Sequence, residues 1–214
     1  MISVLLIDDH ELVRTGVRCI LEGTPDIQVV AEAGCGEEAV EAVARHRPDV
    51  VLMDVNMPGI GGIEATRRVL RAAPEQKVIV LTVHDAQPFP AQVLEAGAKG
   101  YLTKGGPAEE MIAAIRQVAR GGRHLASVVA GQLALSALSG KSASPFGDLS
   151  GREMQVMLMV AQGQGTQEIS DVLCLSPKTV STYRYRLYDK LGVQNDVQLA
   201  LLASRHGLLG DGEQ

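Results

Sequence analysis

Two hydrophobic rhythms alternate along the first part of the chain. Short, mostly apolar runs at residues 2–7, 28–31, 50–53, 78–81 and 101–103 have strand length. Between them lie stretches with helical spacing at 12–21, 37–46, 63–73, 92–96 and 107–120. In the first of these, Leu12, Val13, Gly16, Val17, Ile20 and Leu21 share one broad face. Strands that are apolar throughout, without alternation, are what a sheet covered on both faces requires. Five strand–helix units in succession therefore predict an α/β architecture, a doubly wound five-stranded parallel sheet.

The rhythm changes after residue 125. An Ala- and Leu-rich stretch at 125–138 is apolar enough to continue as a short helix. It runs into Ser139-Gly-Lys-Ser-Ala-Ser-Pro-Phe-Gly147, a composition break that predicts a mobile connector. Only helical patterns follow. Ser150-Gly-Arg-Glu153 has the form of a capping box, Thr166 is placed to cap a helix at 167–173, and Ser176-Pro177 opens a longer helix to about Lys190, stopped by Gly192. Asn195-Asp-Val-Gln198 caps a last helix that ends near Arg205. Two helices joined by the tight turn Cys174-Leu-Ser176, the second longer, form a helix-turn-helix pattern. The expected organisation is residues 1–122, a partly helical linker at 123–146, and an all-helical domain at 147–210.

Composition narrows the classes. The 214 residues are 46% hydrophobic and 21% charged, ordinary for a globular chain, and no run approaches the length of a membrane helix. The opening Met1-Ile-Ser-Val lacks a secretory pattern, so a cytoplasmic location is expected. Cys19, Cys35 and Cys174 are too scattered for a disulfide scaffold or metal knuckle and are expected to be reduced, with packing roles. The net charge of -5 excludes blanket attraction to nucleic acid. Any DNA contact must come from local placement of cations.

Candidate chemistry collects where the strands end, the edge at which open parallel sheets bind ligands. Asp8 and Asp9 close the first strand, Asp54 the third, Thr82 the fourth, and Lys104 follows the fifth. Three carboxylates brought together repel one another unless a cation sits among them, and a small hard ion such as Mg²⁺ suits oxygen donors. Lys104 supplies a point charge for an anionic oxygen, Thr82 a hydroxyl for a phosphoryl oxygen, and Asp54 is placed as a nucleophile that forms an acyl phosphate. Tyr101, three residues before the lysine, reads either as strand core or as a mobile aromatic.

On the helix from 177 to 190, Val180, Tyr183, Leu187 and the following Leu191 form an inward stripe. The opposite face carries Lys178, Ser181, Thr182, Tyr185, Arg186 and Asp189, several of which can meet base edges and phosphates. Arg184 lies nearer the core side and must snorkel to reach a phosphate. Three of the four tyrosines fall at 183, 185 and 188.

The residues Asp8-Asp9, Asp54 with Met57-Pro58-Gly59, Thr82 and Lys104 resemble the receiver domain of two-component response regulators, over residues 1 to about 122. The resemblance implies a flavodoxin-like strand order and phosphate transfer to Asp54 from a sensor histidine kinase. It implies Mg²⁺ held by Asp8, Asp9, Asp54 and the Asn56 backbone carbonyl, with Thr82 and Tyr101 as a switch pair. Gly105 departs from the proline that many receivers carry there. The tail, through Leu149-Ser-Gly-Arg-Glu153, Glu168-Ile-Ser170, Leu175-Ser-Pro-Lys-Thr-Val180 and Lys190-Leu-Gly192, is similar to LuxR/NarL-type DNA-binding domains. Together the halves resemble NarL/FixJ response regulators, with residues 173–186 similar to the GacA/UvrY global regulators. That likeness implies Ser181, Thr182 and Tyr185 near bases and Lys178, Thr179 and Lys190 near the backbone of promoter DNA. It also implies a homodimer through the last helix, between Val197 and Ser204, and RNA polymerase as a further partner. Ser181 and Gly151 depart from the lysine and proline common in relatives.

The reading is thus a phosphorylation-controlled, DNA-binding transcriptional activator with no enzymatic role. A phospho-regulated adaptor whose helical tail binds protein instead of DNA is the alternative. A phosphatase on the same sheet would want an aspartate where Asn56 stands.

Overall fold

A computed structural model describes residues 1–82, 89–127, 129–131, 145–206 and 208–209. Six parallel strands lie in the order β2-β1-β3-β4-β5-β6, namely β1 Ile2–Ile7, β2 Ile27–Ala33, β3 Val50–Asp54, β4 Val78–Thr82, β5 Gly100–Thr103 and β6 His124–Leu125. The five expected strands are all present. The sixth was not foreseen, because two residues carry no periodicity. Its pairing is purely tertiary: His124 donates its backbone N–H to Lys99 at 2.9 Å and Ala126 to Tyr101 at 3.0 Å. Helices α1 Glu11–Glu22, α2 Ala39–His46, α3 Gly61–Ala72, α4 Phe89–Glu95 and α5 Ala108–Ala119 cover the two faces. β3 and β4 are buried along their whole length, which explains their unbroken apolar sequence.

The core divides into two apolar clusters. One side packs Val4, Leu6, Leu52, Ile79 and Leu102 against Leu21, Met111 and Ile115. The other joins Leu5, Ile7, Val51 and Met53 to Val43, Val69 and Phe89, and continues without a break into Phe146, Leu149, Met154 and Met157. The two halves thus pack against each other through one apolar core. Phe146 is fully buried, so the composition break ends as an anchor.

The second half holds α6 Gly151–Ala161, α7 Thr166–Leu173, α8 Pro177–Leu191 and α9 Asp196–Arg205, with no strand among the described residues. The capping box of Ser150 and Glu153 forms as the sequence predicts, Ser150 donating its N–H to the Glu153 carboxylate at 2.8 Å. Ser176 and Asn195 cap α8 and α9 by accepting the N–H groups of Thr179 and Gln198. At α7 the cap position belongs to Gly165, whose N–H bonds to Glu168 at 2.7 Å; Thr166 is instead engaged by Arg184. The linker helix expected at 125–138 lies largely outside the described residues.

Candidate functional site

The parallel strands align their carboxyl ends, and the groups singled out in the sequence meet there. Asp8 and Asp54 are buried and Asp9 is partly exposed. Ligand atoms of Asp8, Asp9, His10 and Asp54 lie within 4.8 Å of one another, a cluster able to coordinate a divalent metal. Lys104 reaches between the acids, its Nζ 2.7 Å from Asp8 Oδ2 and 2.9 Å from Asp54 Oδ2. The His10 ring stands 2.9 Å from Asp9 Oδ1. Nevertheless Asp8 Oδ2, Asp9 Oδ1 and both oxygens of Asp54 are buried without a well-formed hydrogen bond. Buried acceptors left in that condition are costly, and oxygens converging on one point are a donor set for a hard cation.

Electrostatics agree. Burial pushes the Asp54 carboxyl above the ordinary aspartate range, Asp8 adds to the rise, and Lys104 opposes it. For Lys104, burial works to weaken the charge, but the Asp8 and Asp54 contacts outweigh it and hold the ammonium above its ordinary value. One cation thus serves two carboxylates, and the site keeps an unbalanced negative charge.

The loop from Val55 to the start of α3 wraps the end of β3. Its path depends on glycine: a Cβ on Gly62 would lie 1.7 Å from the Asp54 carbonyl oxygen, and Gly61 sits at φ +68°. Glu37 accepts the N–H of Ile60 at 2.9 Å and holds the loop from the α2 side. Thr82 is buried at the end of β4, aligned with Thr103, and its carbonyl accepts the N–H of Lys104 at 2.7 Å. Tyr101 is fully buried beside Val80, so its ring points inward. Phe89 is buried in the adjoining core.

In the helical half the inward stripe of α8 is as expected, with Val180 and Leu187 fully buried. Lys178, Thr182, Tyr185 and Arg186 are exposed, Tyr185 to 74%. Ser181 and Thr182 bond back to the carbonyls of Pro177 and Lys178 at 3.0 and 2.9 Å, and Thr179 shares its hydroxyl with Ser176 at 2.8 Å. Two sequence candidates face elsewhere. Arg184 donates to Thr166 Oγ1 at 2.9 Å and pairs with Asp196, which also accepts the Tyr188 hydroxyl. Lys190 is paired with Glu153 at 2.8 Å and reaches the Asp148 carbonyl at 3.2 Å.

Residues 4–116 match the response regulator receiver domain model, and residues 148–203 match that of bacterial regulatory proteins of the luxR family. The chain is 55% identical over 209 residues to the response regulator UvrY of Escherichia coli K12, covering 97% of this chain and 96% of that protein. It is 53% identical over 210 residues to the response regulator GacA of Pseudomonas aeruginosa, 98% of either chain being covered. The chain belongs to the NarL/FixJ family of response regulators. It is a phosphorylation-controlled, DNA-binding transcriptional regulator of a two-component system, not an enzyme. Among solved structures, a LuxR-family two-component response regulator from Aurantimonas sp. superposes with a TM-score of 0.63 at 36% identity, over 64% of this chain and 99% of that one. RcsB from Salmonella enterica serovar Typhimurium, bound to promoter rprA with the phosphomimetic BeF3-, gives 0.69 at 26% identity, over 95% and 98%.

Sequence reasoning passed over three features of this regulator. His10 joins the acidic cluster, a placement that adjacency to Asp8-Asp9 could have signalled. Arg152 and Gln155 reach from α6 to the receiver loop: Gln155 Nε2 donates to the Met57 carbonyl at 2.8 Å and Arg152 donates to that of Gly59. Nothing in their spacing marks them, since both lie on a helix face that could equally be solvated. The cysteines also differ from expectation, for Cys19 and Cys174 are exposed and do not serve packing. No helix among the described residues is long and apolar enough to cross a membrane.

Proposed function

We propose that Asp54 is the phosphoacceptor of this response regulator, assisted by Mg²⁺, Lys104 and Thr82. The observation that carries the reading is Lys104 Nζ between Asp8 and Asp54 at 2.7 and 2.9 Å, beside convergent acidic oxygens. An Asp54 carboxylate oxygen attacks phosphorus as the bond from phosphorus to the donor breaks and the leaving group keeps the electron pair. Lys104 faces the charge on the equatorial oxygens, and Thr82 offers its hydroxyl to one of them. Mg²⁺, held by Asp8, Asp9, Asp54 and the Asn56 carbonyl, supplies charge neutralisation when bound. A sensor histidine kinase is the physiological donor. Thr82 drawn toward the phosphoryl group, with Tyr101 following, then alters the face formed by α4 and β5.

The output is recognition of promoter DNA by α8, and the exposed Lys178, Thr182, Tyr185 and Arg186 carry the contact, with Thr179 and Ser181 beside them. The internal pairing of Arg184 and Lys190 supports positioning roles for these two. We further assign a receiver at 1–122, a linker at 123–146 and a DNA-binding domain at 147–210. Homodimers form through α9, whose Val197 and Leu201 are 69% and 54% exposed, and the protein acts as a cytoplasmic activator. Incubation of the full chain with Mg²⁺ and acetyl phosphate tests the acceptor. Asp54→Asn is expected to abolish phosphate uptake, and undiminished uptake would sink the assignment.

A further inference from the structure

His10 stands beside the acidic cluster, and its ring is turned away from the task its position offers. It occupies the cap position of α1, where a side chain ordinarily accepts an N–H of the first helical turn, yet its side chain makes no such bond. Its Nδ1 lies instead 2.9 Å from Asp9 Oδ1 and 3.5 Å from Asp8 Oδ1. The backbone beneath the ring is held from both sides. The His10 N–H donates to Asp8 Oδ1 at 2.9 Å, its carbonyl accepts the N–H of Arg14 at 3.0 Å, and Arg14 Nη1 donates to the Asp8 carbonyl at 2.6 Å. Glu32 steadies Arg14 in turn, 3.4 Å from its Nε. The ring itself is 64% exposed, so it can shift onto an ion without disturbing the core.

These distances match a coordination shell. Around an ion with bonds of about 2.1 Å, adjacent octahedral donors lie about 3.0 Å apart and opposite ones about 4.2 Å. The His10 separations from Asp9 and Asp8 are near the first spacing. The ligand atoms of Asp8, Asp9, His10 and Asp54 already lie within 4.8 Å of one another, so closing on an ion takes about half an ångström at most. A separate observation points to a cation here: Asp8 Oδ2 and both Asp54 oxygens are buried without a well-formed hydrogen bond, on side chains that are almost wholly enclosed.

An imidazole nitrogen changes which cation the centre favours. Mg²⁺ takes oxygen donors and keeps several waters, whereas first-row transition ions gain from nitrogen. We propose that His10 Nδ1 is a direct metal ligand, completing with Asp8, Asp9 and Asp54 a mixed nitrogen and oxygen site that takes Mn²⁺ ahead of Mg²⁺. One residue outside the acidic set then tunes the input site of the regulator to a transition ion. The proposal rests on the metal centre assigned above.

The test uses the full chain labelled with ¹⁵N in histidine alone. Bound Mn²⁺ is read by electron paramagnetic resonance, its affinity by titration and its ligands by ¹⁵N spin-echo modulation, with Mg²⁺ as competitor. The wild type is expected to show ¹⁵N coupling that excess Mg²⁺ removes by displacing the ion. In His10→Leu, and in His10→Asn, which keeps a good cap residue at the start of α1, the coupling should vanish. Mn²⁺ affinity should fall at least about tenfold, since even an outer-shell partner of a ligand is worth roughly 10–100-fold. Mg²⁺ affinity should change less than about threefold, because water can take the vacated position. Mn²⁺ that Mg²⁺ displaces but that shows no ¹⁵N coupling overturns His10 as a ligand and leaves the acidic centre standing. Coupling that survives in both variants, or an equal loss of affinity for the two ions, overturns it as well. Mn²⁺ that excess Mg²⁺ fails to displace, or that binds Asp8→Asn as tightly as the wild type, overturns the metal centre and the proposal with it.

Discussion

Replacing Asp54 with asparagine should stabilise the metal-free protein while abolishing the stabilisation by Mg²⁺. The sign follows from the site. Burial raises the Asp54 pKa, so the folded state binds the proton more tightly than the unfolded chain does. That contribution favours folding below the unfolded pKa and is lost as pH rises through the folded one. At neutral pH the ionised carboxylate is therefore a liability. Asparagine removes the charge, and Lys104 keeps its partner Asp8 at 2.7 Å. The metal effect has a defined size, since a ligand at ten times its dissociation constant adds about 1.4 kcal/mol. For a receiver of this length that is a rise of roughly 3–8 °C in Tm. Differential scanning calorimetry of wild type and variant, with EDTA and with Mg²⁺ titrated to saturation, reads both effects. A variant that melts lower in EDTA and still gains the full Mg²⁺ shift would refute the reasoning from buried, converging carboxylates.

Further outcomes are expected elsewhere in the molecule. Arg186→Ala should weaken promoter binding by roughly 1–3 kcal/mol in a fluorescence anisotropy titration if the residue reads a base, without moving Tm. Arg184→Ala should instead lower the Tm of the helical domain, because Asp196 and Thr166 lose their shared partner. Ser150→Ala should cost about 1 kcal/mol in urea unfolding by opening the capping box. Glu153 is held below the ordinary glutamate range: burial opposes the shift, and Lys190 and Ser150 override it. Its contribution is present above the unfolded pKa and lost in acid, so Glu153→Gln should flatten the stability-against-pH curve below about pH 5, near the ordinary glutamate value.

Periodicity determined much of this protein by itself. Unbroken apolar runs can be buried only in a sheet covered on both sides, so the parallel α/β half was legible, and caps such as Ser150 and Asn195 announced the helices locally. The acidic site was legible too, because parallel strands carry their last residues to one edge: Asp8, Asp54, Thr82 and Lys104 become neighbours through topology alone. Side-chain partners were not legible. Residue spacing set Arg184 near the core side, Lys190 had a DNA role only by resemblance, and packing against α9 and the α6 cap decides that they pair with Asp196 and Glu153. β6 exists only because its two residues fall beside β5. The docking of Arg152 and Gln155 on the loop after Asp54 was the least visible. A guanidinium and an amide that end on backbone carbonyls leave no residue-type signature on the partner segment, so only the tertiary structure pairs them.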